Sequence, residues 1–406
     1  MRIYVLLSAL TVILYVDRTA LSLTAVAVSE EFGLSPVAMG YLLSSFSWLY
    51  FMALIPAGHL VGRFGAYRVG GLGIGLLSAA SASIAFSWSF LSLLACRLAA
   101  GLCAAVTYPT GARTIRDHVP RNKWGLATGI LHSGSLIGPA IGAVALSGMI
   151  STWGWRVVFI VAGAIGAVWL GFWVAWNRHG GRPARPARPA PPAQVDAAQP
   201  VGSVSAGLRG IAGSAPMRAS AFAHGCAGFS THLFLAWLPS YLQKEQSLPV
   251  TTTGLLLGAT YLGAALLVVA VLRLSDAFMP ANLASGTRKF WVAACLFGSA
   301  LVAAVPYLNH LVAILPVITL SLAACASAVS LNLALANDLT RDARDVGSAV
   351  GFISTVGNIF GLVAPIVTGY IVAETGSFNL AFTLSGALLA AGAVPLLCVR
   401  SPAPAA

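Results

Sequence analysis

The chain has 406 residues, of which 58% are hydrophobic and only 8% charged, and its mean hydropathy is +0.85. Soluble proteins carry about 25% charged residues, so this composition excludes an ordinary soluble fold. The formal net charge of +12 would suit nucleic acid, but the cations sit in short loops between apolar runs, where they act as a topology signal and argue against a nucleic-acid partner.

The first apolar run, from about Ile3 to Val28, is long enough to cross a bilayer, which takes ~20 residues of helix. Only Met1 and Arg2 precede it and no small-residue cleavage site follows, so it is expected to be retained rather than removed as a signal peptide. Near its middle stands Tyr15-Val16-Asp17-Arg18. Either charge at the centre of a lipid-exposed helix costs roughly 2.5–3.5 kcal/mol, so both are expected to face protein or water and to serve function.

Further apolar stretches follow at about 38–58, 69–88, 89–112, 124–150, 155–176, 219–243, 252–275, 287–307, 310–335, 346–372 and 377–399. In lipid the backbone must satisfy its own hydrogen bonds, and runs this long and uniform read as helices, not as the alternating strands of a barrel. The predicted class is an all-α membrane protein with twelve transmembrane helices in two six-helix halves, 1–176 and 217–406. Between them lies a polar segment, 177–216, that includes Arg182-Pro183-Ala184-Arg185-Pro186-Ala187-Arg188-Pro189. Proline at this density favours an extended, solvated tether; lipid binding through its arginines is the alternative reading.

Arg63 and Arg68, then Arg113, Arg116, Arg121 and Lys123, then Arg273, Arg288 and Lys289, then Arg341 and Arg344 all fall in connections on one side of this layout. The opposite loops hold Glu30, Glu31, Glu245 and Glu374, with Arg156 and Lys244 as the exceptions. Both termini and the central segment are therefore expected in the cytoplasm. The six cysteines, Cys96, Cys103, Cys226, Cys295, Cys325 and Cys398, are scattered through apolar segments without C-x-x-C spacing. No disulfide, metal or other cofactor is expected.

The halves echo each other weakly. Gly58-His59-Leu60-Val61-Gly62-Arg63-Phe64-Gly65 is answered by Leu272-Arg273-Leu274-Ser275-Asp276, Gly125-x-x-x-Gly129 by Gly347-x-x-x-Gly351, and Gly134-Ser135-Leu136-Ile137-Gly138-Pro139 by Gly357-Asn358-Ile359-Phe360-Gly361. Two repeated six-helix halves are a transporter pattern.

The layout together with Gly58-x-Leu60-x-x-Arg63-x-Gly65-x-x-Arg68 resembles the major facilitator superfamily, although Gly62 stands where that loop motif usually has Asp. Within it, Tyr15-Val16-Asp17-Arg18, Leu34-Ser35-Pro36-x-x-x-Gly40-Tyr41, Trp48-x-Tyr50, Arg97-x-x-x-Gly101, Thr107-Tyr108-Pro109, Phe234-Leu235-Ala236-Trp237-Leu238-Pro239-x-Tyr241-Leu242 and Gly357-Asn358 resemble the anion:cation symporter group. That group includes bacterial sugar-acid symporters and the animal vesicular glutamate and sialic acid carriers. The similarity spans nearly everything except the central segment and the tail.

Arg18 and Arg97 are the cations placed deep in apolar segments. A guanidinium stays charged and can hold a carboxylate through two parallel hydrogen bonds, so both are candidate substrate anchors. The competing reading is that each pairs with Asp17 or a carbonyl and merely locks helices. Asp17 and Arg18 are adjacent and so point to different sides of their helix, which makes them poor partners. Asp17 is the one carboxylate deep in these segments; the resemblance implies that it carries protons, and the alternative is an interhelical anchor. Related proton-coupled symporters have a Glu three residues after the fourth-helix Gly, where this chain has Ala104. His132, His224 and His232 are the remaining titratable groups of the apolar segments, although a lone histidine there is more often a core residue. Tyr15, Tyr50, Asn358 and Ser135 are candidate cavity-lining donors, with Ser354 a weaker one. Gly58, Arg63, Gly65, Arg68 and Asp276 form the expected loop and gating motif. Gly134, Gly138, Pro139 and Gly142 read as close-packing positions.

The resulting expectation is a secondary active transporter, not an enzyme, that takes up a small organic anion by proton symport with alternating access. Sugar acids, aromatic acids and dicarboxylates all fit two Arg and a few hydroxyls. A monomer in a bacterial inner membrane is expected, multi-pass, with the anion, protons and the lipid bilayer as its partners. The alternatives are an exporter, since Gly125-x8-Gly134-x3-Gly138-Pro139-x2-Gly142 nearly matches an antiporter motif, and a non-transporting sensor, which the lack of a folded cytoplasmic domain disfavours.

Overall fold

A computed structural model describes residues 2–178, 211–278, 288–340 and 346–399. The described residues are helical, joined by short turns. In chain order the α-helices are α1 (Arg2–Phe32), α2 (Pro36–Phe64), α3 (Ala66–Ile84), α4 (Phe90–Ala104), α5 (Thr107–His118), α6 (Trp124–Trp153), α7 (Trp155–Arg178), α8 (Ala215–Lys244), α9 (Val250–Ala277), α10 (Arg288–Ala300), α11 (Leu311–Leu339), α12 (Val346–Thr375) and α13 (Asn379–Cys398). Among the described residues ten helices, with α4 and α5 counted as one run, are long and apolar enough to cross a membrane. The stretches occupied by α3 and α8 fall outside that set. Glycine and serine lower the hydropathy of α3, and Arg218, His224, His232, Gln243 and Lys244 lower that of α8. The Pro/Arg-rich run 182–189 lies outside the described residues.

Local chemistry sets the helix boundaries. Ser35 caps α2 by accepting a hydrogen bond from the Ala38 amide, with Pro36 in the first turn, where its missing N–H costs nothing. Ser89 and Ser92 form a reciprocal capping box at the start of α4. The stretch 89–112, which reads as one helix in sequence, breaks at 105–106. Pro109 cannot donate to the Ala105 carbonyl one turn earlier, and Thr107 restarts the chain as α5. The loop motif Gly58–Gly65 is not a loop along most of its length: α2 continues to Phe64 and stops at Gly65, whose φ of +85° favours glycine.

The chain packs as two compact units, Met1–Pro191 with Leu235–Leu262, and Pro192–Phe234 with Gly263–Ala406. In the first unit small residues let helices close on each other, as membrane helices must in the absence of a hydrophobic drive between them. Gly163 and Gly166 of α7 sit against Ser78 and Ala82 of α3. Gly254 and Gly258 of α9, one turn apart, sit against Ala140, Ala143, Val144 and Ser147 of α6. At one edge, Trp173 stacks on Trp169 at 5.1 Å, and their indole N–H groups donate to the Tyr67 and Leu6 carbonyls. At the end of α1, Glu31 accepts from both terminal nitrogens of Arg156 and from the Trp155 indole. Arg156, an exception to the loop-charge pattern, is thus neutralised by a fork-to-fork pair within its own unit.

The second unit is tied by polar bonds between helices. Ser299 of α10 and Ser321 of α11 each donate to the other's carbonyl. Asn332 of α11 accepts from the Ser220 hydroxyl and donates to the Ser220 carbonyl, both on α8. Gly228 of α8 approaches the Gly357 backbone of α12, and the glycines at 357 and 361 accommodate the rings of His224 and His232.

Candidate functional site

The residues singled out on α1 lie at its meeting with α2, α3, α4 and α6. The glycine ladder of α6 brings that helix against α1: Gly134 meets Thr11, Gly138 meets the Cβ of Tyr15, and Gly142 meets Val16 and Thr19. Thr11 adds a 2.6 Å hydrogen bond to the Leu131 carbonyl. The ladder that resembles an antiporter motif therefore has a packing role here, seating Tyr15 and the turns on either side of it.

Successive helix positions diverge by about 100°, and Asp17 and Arg18 take opposite fates. Asp17 is 2% exposed. Its carboxylate accepts from the Ser81 hydroxyl of α3 at 2.5 Å and from the Arg97 guanidinium of α4 at 3.0 Å. Arg97 is equally buried. The three side chains pin three helices together, and the pairing matches the locking role that stood against the anchor role for Arg97.

Arg18 is half-buried and makes no hydrogen bond or ion pair with any described residue; its Nε is buried without a partner. Its guanidinium lies instead among aromatic rings, 4.5 Å from the Phe46 centroid, 5.2 Å from Tyr50 and 5.6 Å from Tyr15. Ring faces attract a cation but do not neutralise it. The cage thus leaves a half-buried positive charge that no acid among the described residues compensates, a charge suited to an anion. Tyr108 of α5 stacks on His132 of α6 at 4.9 Å. This puts His132, which is exposed in mid-helix, next to the position one turn beyond Ala104. Ser135 is half-buried and donates within its own helix to the His132 carbonyl.

The other predicted residues lie on other elements or further along α2. Arg63 and Arg68 are exposed at the turn between α2 and α3, with Gly58 and Gly65 at its approach. Asp276 is exposed near the end of α9. In the second unit Asn358 is half-buried without a hydrogen-bond partner among the described residues, while the neighbouring His224 lies 3.4 Å from the Asn332 amide. Among the described residues no group of three or more His, Cys, Asp or Glu side chains is arranged to hold a metal.

Phe46 and Ser81 escaped the reading of the sequence. Phe46 and Tyr50 share a face of α2 and stack at 5.8 Å, and their i, i+4 aromatic spacing was the available signal. Ser81 is one of several serines on α3 and carried no distinguishing pattern.

A family model described as Major Facilitator Superfamily matches residues 7–283 and 220–406. The chain belongs to the Major Facilitator Superfamily. It is 30% identical over 402 residues to a protein of Escherichia coli (strain K12) named as a probable L-galactonate transporter, covering 96% of this chain and 87% of that one. It is 29% identical over 405 residues to a probable sulfoacetate transporter of Cupriavidus necator, covering 96% and 93%. It is 26% identical over 381 residues to a hexuronate transporter of Bacillus subtilis, covering 93% and 89%. The fold is that of a bacterial homologue of the human lysosomal transporter Spinster, solved inward-facing and unoccupied, with a TM-score of 0.74 at 16% identity over 98% of this chain and 94% of that one. As a superfamily member the chain is a multi-pass membrane transporter and not an enzyme.

Proposed function

We propose that this superfamily member takes up a small organic anion, a sugar acid or another carboxylate, by proton symport with alternating access. The observation that carries the reading is the unpaired Arg18 guanidinium in its aromatic cage. A planar fork with no acceptor among the described residues is set to take a carboxylate through two charge-assisted hydrogen bonds. The names of the relatives, sugar-acid and sulfonated-acid transporters, support the same substrate class.

In the proposed cycle Asp17 holds the coupled proton. While it is ionised it keeps Arg97; once protonated it releases Arg97, which then adds a second positive charge toward the substrate. Tyr15, Tyr50 and Ser135 are proposed to hydrogen-bond substrate oxygens, and Asn358 is proposed as a substrate-binding residue of the second unit. Gly58, Arg63, Gly65, Arg68 and Asp276 are proposed to act in gating. The chain is proposed to cross a bacterial inner membrane twelve times as a monomer, with both termini in the cytoplasm.

The test is uptake into proteoliposomes of labelled galactonate, glucarate, glucuronate, sulfoacetate and benzoate, with and without an inward proton gradient. Gradient-driven accumulation of at least one acid is expected. Uptake of none, or efflux driven by the same gradient, refutes the reading.

A further inference from the structure

Phe46 has no assigned role, yet it is the residue on which the two intramembrane guanidinium groups converge. The Arg18 guanidinium lies 4.5 Å from its ring centroid and the Arg97 guanidinium 5.0 Å. Gly101 of α4 abuts its backbone carbonyl so closely that a Cβ there would collide with it. The spacing Arg97-x-x-x-Gly101 thereby acquires a physical meaning. One helical turn separates two contacts to the same residue, a cation over the ring and a glycine under the backbone. Tyr50 stacks on the ring from the next turn of α2. Helices α2 and α4 thus fix the ring, while α1 supplies the charge that rests on it.

We infer that Phe46 is a positioning residue for anion binding: its ring holds the Arg18 fork in place and joins it to the Asp17–Arg97 pair. This rests on the reading of Arg18 as the carboxylate anchor. At 1% exposure the ring cannot touch a substrate, so its influence passes through Arg18. The attraction of a desolvated cation for a ring face is electrostatic, whereas the packing of the same ring depends on its shape. Arg97 already has the Asp17 carboxylate and Arg18 has no acid among the described residues. Weakening the ring face should therefore loosen Arg18 more than Arg97.

The two contributions separate experimentally. Phe46→Leu keeps apolar volume and removes the π-face. It should raise KM by about tenfold, the scale of a buried cation–π contact, with little change in maximal rate. Fluorinated phenylalanines at position 46 keep the ring shape while progressively reversing its electrostatics. KM should climb from the mono- to the tri- to the pentafluoro ring, a gradation that a purely structural role does not produce. Each variant is assayed in proteoliposomes with the panel acid that the wild type takes up fastest, alongside Arg18→Gln and the melting temperature of the purified protein. If Arg18→Gln abolishes uptake while the fluorinated series keeps the wild-type KM, Phe46 is not a positioning residue and the Arg18 reading stands. If Arg18→Gln transports like the wild type, the anchor itself is wrong and this inference falls with it. Should Phe46→Leu fail to fold, the pentafluoro protein decides: an unchanged KM overturns the inference.

Discussion

Arg97 donates to Asp17 over 3.0 Å with both side chains almost wholly buried, and Ser81 completes the carboxylate's coordination. A buried pair of this kind makes each partner dependent on the other. Removing one leaves an uncompensated charge and typically costs about 3–5 kcal/mol, whereas replacing both is far milder. Arg97→Gln should therefore lower the melting temperature of purified protein sharply, and Asp17→Asn/Arg97→Gln should recover much of the loss. Equal destabilisation by the single and double variants would show that the pair contributes no coupling.

Arg18 behaves differently because no acid among the described residues holds it. Arg18→Lys keeps the charge but replaces a planar fork by a point charge. Substrate binding should weaken by roughly 1–3 kcal/mol, the scale of a charge-assisted hydrogen bond, with no comparable loss of melting temperature. Calorimetric titration of the purified variant checks this, and unchanged affinity would exclude a bidentate clamp.

Glycines distinguish packing from bystander positions. A Cβ at position 101 collides with the Phe46 carbonyl, which is backbone and cannot swing away, while a Cβ at 148 meets open space. Gly101→Ala should cost about 1–3 kcal/mol, the usual range for overpacking, and should raise KM through the displaced Phe46. Gly148→Ala should be neutral or stabilising by up to ~1 kcal/mol, because alanine is the better helix former. Thermal unfolding of the two variants side by side tests the contrast.

Helices were legible in the sequence because lipid leaves the backbone no other choice over long apolar runs. Asp17 and Arg18 stood out because charges are so costly there. What the sequence did not show was pairing. Whether Arg97 faces a substrate or Asp17 depends on how α1, α3 and α4 converge, and no local pattern encodes that. Phe46 looked like any other apolar residue of α2 until Arg18 and Arg97 were seen to share it. The break at 105–106 was readable from Pro109 but hidden by unbroken hydropathy. Arg156 read as an anomaly of loop charge because its partner, Glu31, is distant in sequence.

The loop charges make a prediction of their own. All Lys and Arg except Arg18, Arg97, Arg156 and Lys244 fall on one side of the proposed layout, and cations mark the cytoplasmic face. Single cysteines introduced at Ala187 and Ser377, in a background lacking the six native ones, should label from opposite sides of sealed vesicles. Labelling from the same side would refute the two-half arrangement.

Coupling is the most demanding test, and it turns on Asp17. A symporter must bind proton and substrate in a linked way, each raising the affinity for the other. Ala104 stands where the resemblance to the anion:cation symporter group implies a second acid, which concentrates the proposed proton chemistry on one carboxylate. Asp17→Asn mimics the protonated state: it cannot ionise, and it frees Arg97 from an ion pair while keeping an oxygen for Ser81. The variant should bind substrate at least as well as the wild type and exchange it across the membrane. It should no longer accumulate substrate against a gradient when a pH difference is applied. Its melting temperature should fall, because the Arg97 charge is then buried without its counter-ion, so coupling is best read as protons moved per substrate in folded, reconstituted protein. Ala104→Glu should add a titratable group near the Tyr108–His132 stack and shift the pH dependence or the stoichiometry. If Asp17→Asn retains wild-type proton flux per substrate, Asp17 is an anchor for α1 and not the proton site. Attention then moves first to His132, the histidine stacked on Tyr108 one turn from Ala104, and next to His224 and His232 of the second unit.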